Sequence, residues 1–155
     1  MSGTPENLKQ IEDAKASLAK LPILGPAMWL YARDERRRWT FIAEQDWLLM
    51  PPIVLDQCHL YTKNEIPWAF FTWAMVSEEV HQRLNSGVAK IGPHEWRSGD
   101  HCWLIDAVAP FGGLDEVMTE LRVKALAGKT VFRLVPQPDG QNKVEQLPAL
   151  QGAAA

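Results

Sequence analysis

The stretch "SGDHCWLIDAVAPFGG", residues 98–113, decides the fold of this 155-residue chain. Its first three residues, Ser98-Gly99-Asp100, are typical of a turn. Residues 101–109 then form an apolar run with the length and composition of a strand. Gly112-Gly113 ends the loop that follows and favours the start of a helix. The stretch therefore predicts a turn, a strand, a loop and a helix in succession.

Asp106 places a carboxylate inside this apolar run. Regular alternation along the strand puts it on one face with Leu104 and Val108. An ionised carboxylate is costly there unless it is paired, hydrogen-bonded or placed at a solvated cleft. Two interpretations follow from the residues: a structural aspartate that anchors a loop, or an orienting or acid–base carboxylate at an active site.

The remaining patterns predict an α+β domain with a mixed or antiparallel sheet flanked by helices. Helical spacing and capping residues predict helices over residues 5–21 and 27–38, after Ser77 and after Gly113. Alternation and turn residues predict strands at 57–62 and 68–76 as an antiparallel hairpin, and at 101–109, 130–136 and 143–147. No linker divides the chain. We expect an N-terminal helix in residues 1–22, one domain over 23–148 and a disordered tail at 149–155.

Composition excludes several classes of function. The formal net charge of -3 argues against general nucleic-acid binding, which needs a basic face. No apolar run approaches the ~18 residues of a membrane span, and no signal peptide is visible, so we expect a cytoplasmic protein. Cys58 and Cys102 are too few for a disulfide scaffold and, with the scattered histidines, show no metal-ligand spacing. We therefore predict no metal site.

Three further features of the sequence each have alternative interpretations. The segment "RDERRRW" (33–39) contains Arg33, Arg36, Arg37 and Arg38, which suit either a solvated helix terminus or a docking patch for an acidic partner. The seven tryptophans suit either core packing or an apolar-ligand groove. Gly112 and Gly113 offer backbone N–H groups to an anion, although acidic residues in the next turn would repel a phosphate.

Taken in order, the motifs resemble those of the RTX toxin-activating lysine acyltransferases. The similarity includes "ILG" (23–25), "WL" (29–30), Pro51 with Ile53, and "PWAFFTWA" (67–74), in which Thr72 stands for the family's serine. It is strongest at "EWRSGDHCWLIDAVAPFG" (95–112), which resembles the family's D-W-x-S-G-D-x-x-W-x-I-D-x-I-A-P-F-G. These motifs extend over residues 23–112.

This resemblance implies a single GNAT-like domain, a possible homodimer, and transfer of a fatty acyl group from acyl carrier protein to internal lysines of a protoxin. Acyl carrier protein would be the co-substrate, with no bound cofactor. Such a site needs a base for the lysine amine and donors for the thioester oxyanion. We assign Trp73 and Trp103 to the acyl groove, and Arg33, Arg36, Arg38, Gly112 and Gly113 to binding the carrier or substrate.

The sequence departs from the family at the catalytic histidine. The family's aspartate corresponds to Asp106, but the histidine position falls on Arg37, and no histidine precedes His59. Arginine stays protonated and cannot act as a general base. A polar asparagine that some members carry is replaced by Leu48.

Three explanations of this departure remain. His101 could supply the base, or Arg37 could polarise the thioester while Asp106 or water serves as a weak base. In the third, catalysis is lost and binding retained. The leading hypothesis is a carrier-dependent lysine acyltransferase, and the alternative is a GNAT-like binding module. An enzyme that uses acyl-CoA is disfavoured because the chain lacks the R/Q-x-x-G-x-G/A loop.

Overall fold

The computed structural model describes residues 4–152. The helices are α1 Pro5–Leu18, α2 Leu21–Tyr31, α3 Gln45–Leu48, α4 Met50–Val54, α5 Glu78–Asn85 and α6 Leu114–Val123. The strands are β1 Cys58–Lys63, β2 Ile66–Val76, β3 His101–Val108, β4 Val131–Pro136 and β5 Asn142–Leu147. Short 3-10 turns lie at Arg37–Trp39, Ile42–Glu44 and Pro93–Glu95. In the described part of the chain, every helix is too short or too polar to cross a membrane.

The five strands form one sheet in the order β1-β2-β3-β4-β5. All neighbours are antiparallel except β3 and β4, which run parallel and are joined through α6. This arrangement confirms the predicted α+β class with one mixed sheet flanked by helices, and it is consistent with a GNAT-like domain. The predicted order of helices and hairpins is also correct. Four-residue α3 and five-residue α4 were not predicted.

Helices cover both faces of the sheet. Helix α6 packs its buried Met118 and Leu121 against Phe71 and Trp73 of β2 on one face. On the other face, α2 packs against Phe70, and α5 covers the far end of the same strands. Because both faces of β2 are covered, the strand reads as an almost continuous apolar run.

A β-bulge in β3 corrects the predicted placement of Asp106. Thr72 pairs with Asp106 while the next residue, Trp73, pairs with Leu104, so one extra residue of β3 lies between them. A bulge reverses the alternation beyond it. Asp106 therefore faces α2, on the side opposite to Leu104. The prediction that these two residues share a face is wrong.

The parallel strands β3 and β4 pair only near their beginnings. Their ladder joins Cys102–Leu104 to Val131–Arg133 and then stops, although both strands continue. The later residues of β3 pair only with β2, and those of β4 only with β5. The strands thus diverge directly beside the bulge, and a cleft opens between them.

Helix α2 differs from the prediction of a helix over residues 27–38. It begins at Leu21, continues through Pro26 and ends at Tyr31. A proline inside a helix usually kinks or ends it, but here burial of Ala27, Leu30 and Tyr31 in the core favours the continuous helix. The N-terminal helix α1 correspondingly ends at Leu18, before Pro22.

The turn "SGD" before β3 has a structural role. The amide N–H groups of Ser98 and Gly99 donate to the Met75 carbonyl, and the Ser98 hydroxyl accepts from the Ser77 amide. A Cβ at Gly99 would lie 2.5 Å from the Val76 carbonyl oxygen, so this crossing needs glycine. The turn therefore ties the start of β3 to the end of β2.

The division at residues 22 and 148 stays a prediction. In the predicted tail, residues 149–152 carry no helix or strand, and the Leu150 carbonyl accepts a hydrogen bond from Gly128. The start of the predicted N-terminal segment (1–3) and the end of the tail (153–155) lie outside the described residues.

Candidate active site

Asp106 is the centre of a buried polar triad. Its Oδ2 accepts a hydrogen bond from the Tyr31 hydroxyl at 2.5 Å. Its Oδ1 accepts one from Arg37 Nε at 2.9 Å and forms an ion pair with Arg37 Nη2 at 2.7 Å. Asp106 is only 4% exposed. Because both carboxyl oxygens receive donors, the geometry fits an ionised aspartate that is fully satisfied.

The protonation states follow from burial and from this pairing. Burial raises the pKa of Asp106, while the Arg37 guanidinium and the Tyr31 hydroxyl act in the opposite direction. Burial opposes the charge of Arg37, yet the neighbouring carboxylate leaves the arginine pKa above its usual value. Burial, followed by the charge of Asp106, raises the pKa of Tyr31, so the phenol remains a donor at neutral pH.

The bulge and the end of α2 bring the triad together. At the bulge, the backbone N–H of Asp106 donates to Thr72 Oγ1 at 3.2 Å. This contact gives a reason for a hydroxyl residue in the "PWAFFTWA" motif. After α2, Asp34 Oδ1 accepts from the amides of Arg36 and Arg37 and turns the chain, which directs Arg37 back toward β3.

Arg37 and Asp106 of the triad border a cleft of about 510 Å³ between the diverging strands. Asp106 is the one carboxylate among the described lining residues, and none of these residues is a histidine. Cationic side chains at the cleft include Arg36, Arg37 and Lys90. Trp47 also lines it, and its buried Nε1 has no hydrogen-bond partner among the described residues. The cleft therefore presents donors and positive charge around one paired carboxylate.

The arginine cluster divides in the structure. Arg36 and Arg37 line the cleft, and their binding and catalytic roles stay predictions. Arg33 instead stacks its guanidinium over Trp29 at 3.7 Å, and Arg38 lies over Trp39 at 5.1 Å. The segment thus follows the end of α2 at Tyr31 rather than forming its last turn, and the docking patch stays a prediction.

His101 lies in a separate cluster. It occupies the first position of β3, five residues before Asp106, and its Nε2 lies 2.6 Å from Glu78 Oε2. Its ring stacks on His81 at 3.9 Å. At ~3.3 Å per residue, five strand residues place it roughly 16 Å from Asp106. The structure therefore does not bring His101 to the triad.

The other predicted binding residues are also separated. Trp103 is buried and lines the cleft. Trp73 lies in the core beneath α6, on the opposite face of the sheet. Gly112 and Gly113 border a different cavity together with Trp68, whose Nε1 donates to the Gly112 carbonyl. Only Trp103 of these four residues meets the cleft beside Asp106.

Sequence reasoning did not identify Tyr31. Tyr31 lies six residues before Arg37, the position of the family's histidine, in no recognisable motif. A tyrosine in an apolar helix suggests ordinary core packing. A buried carboxylate that needs two donors is the one available signal, since Arg37 by itself leaves one oxygen unsatisfied. The tertiary contact between α2 and β3 was needed to find the residue.

Comparisons with known proteins identify the family of this chain. The sequence model described as "HlyC: RTX toxin acyltransferase family" matches residues 16–147. A lysine-acyltransferase RtxC of Vibrio cholerae is 32% identical over 136 residues, which cover 84% of this chain and 89% of that protein. The fold and these similarities define an acyltransferase class. The chain belongs to the RTX toxin acyltransferase family.

Other relatives match over a smaller part. A leukotoxin-activating lysine-acyltransferase LktC of a Pasteurella haemolytica-like species is 34% identical, over 58% of this chain and 54% of its own length. A protein-lysine myristoyltransferase HlyC of Escherichia coli is 32% identical, over 67% of this chain and 61% of its own length. This chain therefore aligns with little more than half of these two proteins.

Proposed function

We propose that the chain is a protein lysine acyltransferase that moves a fatty acyl group from acyl carrier protein to an internal lysine of an RTX-type protoxin. The observation that carries the proposal is the Arg37–Asp106 pair, which lies beside the cleft in a member of this family. Lysine acylation is supported by the relatives, which are lysine acyltransferases. The carrier protein as donor remains part of the proposal, and it would place the reaction in the cytoplasm.

The reaction joins the lysine Nζ to the thioester carbonyl carbon and breaks the carbon–sulfur bond. The lysine ammonium first loses one proton, and a second leaves the nitrogen after attack; one of them can return to the departing thiolate. Arg37 Nη1 makes no hydrogen bond within residues 4–152, so it is available to stabilise the developing oxyanion. Asp106 orients the guanidinium and balances its charge. Water serves as the base, since arginine cannot.

Charge supports an anionic donor. Arg36, Arg37 and Lys90 give the cleft a local excess of positive charge in a chain whose net charge is -3. Positive side chains would attract both an acidic carrier and the phosphate of its phosphopantetheine arm. Arg36 is exposed and belongs to the cleft, so it is the sharpest residue for testing carrier binding.

The test combines intact mass with a pH profile. The chain is incubated with acyl-loaded carrier protein and a protoxin fragment, and transfer is read as an acyl mass on the fragment. Without a histidine among the described residues that line the cleft, the rate should rise about tenfold per pH unit from pH 6 to 9, following the free lysine amine with its pKa of about 10.4. A break near pH 6.5 would contradict water as the base.

Arg37→Lys and Arg37→Gln separate charge from structure. Both keep a polar side chain beside Asp106, but only lysine keeps the cation, so Arg37→Lys should retain more transfer than Arg37→Gln. Equal loss of transfer in both variants, with unchanged folding, would remove the electrostatic role of Arg37.

A second candidate function, a binding module, is favoured by one observation: the sole cleft carboxylate among the described residues is already paired. Carrier binding without transfer at any pH would establish that alternative.

A further inference from the structure

A second, smaller cavity lies on the other side of Arg37. It has a volume of about 130 Å³ and lies between the end of α2 and the chain that follows. Tyr31 and Arg37, the two donors to Asp106, both line it. Its remaining wall is largely apolar and includes Met28, Ala32 and Leu49. Arg37 therefore lines both this cavity and the cleft beside Asp106, which we call the reaction cleft.

An exposed apolar loop stands at the mouth of this cavity. Trp39, Phe41 and Ile42 are 74%, 77% and 73% exposed, the highest values among the large apolar side chains that the structure describes. We call residues 39–42 the aromatic loop; Phe41 and Ile42 also line the cavity. Exposed apolar side chains gathered in four residues usually mark a binding surface.

The aromatic loop is held in place despite its exposure. The amide of Thr40 donates to the Arg37 carbonyl, and the Glu44 side chain accepts from the Phe41 amide at 2.9 Å. The Glu44 amide returns a bond to the Phe41 carbonyl. The backbone is thus fixed by hydrogen bonds at both ends, so the outward direction of these side chains belongs to the folded conformation.

We propose that this cavity and the aromatic loop bind the hydrocarbon chain of the acyl donor. The inference rests on the proposed function, because it places the thioester carbonyl beside Arg37 in the cleft. From that carbonyl, the first methylenes of the acyl chain pass along the aliphatic part of the Arg37 side chain into the cavity. The rest of the chain lies across Phe41 and Ile42, whose exposed area it covers.

The volume sets the expected dependence on chain length. At about 30 Å³ for a group the size of water, a cavity of 130 Å³ holds four or five methylenes. Each buried methylene contributes ~0.8 kcal/mol, which is about a fourfold gain in affinity. Beyond the fifth carbon the gain per methylene becomes smaller, because one side of the chain stays in water over the aromatic loop.

The experiment measures the affinity of S-alkyl pantetheine thioethers with chains of 2 to 14 carbons by calorimetry. In the wild-type chain, the dissociation constant should fall about fourfold per methylene to about the fifth carbon and more gently afterwards. Ala32→Phe fills the cavity and should abolish the steep part. The double variant Phe41→Gln, Ile42→Gln should flatten the gentle part; because both side chains also line the cavity, it should reduce the steep part too, but less than Ala32→Phe does.

Two control variants make the result specific. Ile66 at the start of β2 is 51% exposed and does not line the cavity, so Ile66→Gln should leave both parts of the curve unchanged. Leu134 lines the reaction cleft. If Leu134→Ala, rather than Ala32→Phe, changes the steep part, the chain lies in the cleft and the proposal is wrong.

Other outcomes also decide. Absence of binding at every chain length would overturn the acyl site. The proposal is also wrong if the double variant Phe41→Gln, Ile42→Gln keeps the wild-type chain-length curve but loses self-association or binding to phosphatidylglycerol vesicles. In that case the aromatic loop has another occupant. Failure of the proposed function is distinguishable: the chain-length curve and its response to Ala32→Phe would persist while no acyl mass appears on the protoxin fragment.

Discussion

Replacing Tyr31 by phenylalanine removes one donor from the buried carboxylate and little else. The Tyr31 hydroxyl lies 2.5 Å from Asp106 Oδ2, and both residues are at most 4% exposed, so the bond is largely shielded from bulk solvent. A hydrogen bond to a charged group contributes ~1.5–3 kcal/mol. We therefore expect the free energy of unfolding of Tyr31→Phe to fall by about 2 kcal/mol.

The loss of stability in Tyr31→Phe should depend on pH. In the wild type, the Tyr31 hydrogen bond lowers the pKa of Asp106 against the raising effect of burial. Without that bond the carboxyl pKa is higher, so the folded variant takes up a proton at a higher pH than the folded wild type. The difference in stability between the two proteins is therefore largest at neutral pH and narrows as pH falls. Urea denaturation from pH 5 to pH 8 measures it.

Tyr61 provides a matched control because it is the other tyrosine of the chain. It lies in β1, its ring packs against Phe71, and its hydroxyl makes no hydrogen bond within residues 4–152. Tyr61→Phe should change the free energy of unfolding by less than about 0.5 kcal/mol at every pH. A loss in Tyr31→Phe that does not vary with pH would show that the hydroxyl only fills space, and would refute the charge-assisted bond.

Three further results are expected. Gly99→Ala should destabilise the fold, because its Cβ would lie 2.5 Å from a backbone oxygen; thermal melting measures the loss, and an unchanged midpoint contradicts the close approach. Gln57→Leu should cost about 2 kcal/mol or more in urea denaturation, since buried Gln57 Nε2 donates to the carbonyls of Trp73 and Trp96; a neutral result contradicts that bridge. Burial, followed by the charge of His101, lowers the pKa of His81, whose Nδ1 accepts from the Trp103 indole. Because the unfolded chain takes up that proton more readily, stability should fall as pH drops below about 6.5, with a smaller slope in His81→Gln.

Local patterns in the sequence were sufficient for much of the architecture. Turn residues and alternation predicted both hairpins, and Ser77 was correctly identified as the cap of α5, where its hydroxyl accepts from Val80. Motif similarity identified the family and singled out Asp106 and Arg37, which the structure brings together. These results depend on short-range periodicity, capping and motif order, which the chain carries without reference to its tertiary structure.

The sequence by itself therefore determined the class of fold, the family and the aspartate at the centre of the triad. Tertiary structure decided the rest. The β-bulge reverses alternation at Asp106, and a bulge depends on how two strands pair rather than on either strand alone. Continuation of α2 through Pro26 depends on core burial, which outweighs the local helix-breaking tendency. The Tyr31 contact joins residues 75 positions apart, and the cleft exists because paired strands diverge. Each of these features depends on contacts between segments that are separated in the sequence, and local sequence patterns carry no information about such contacts.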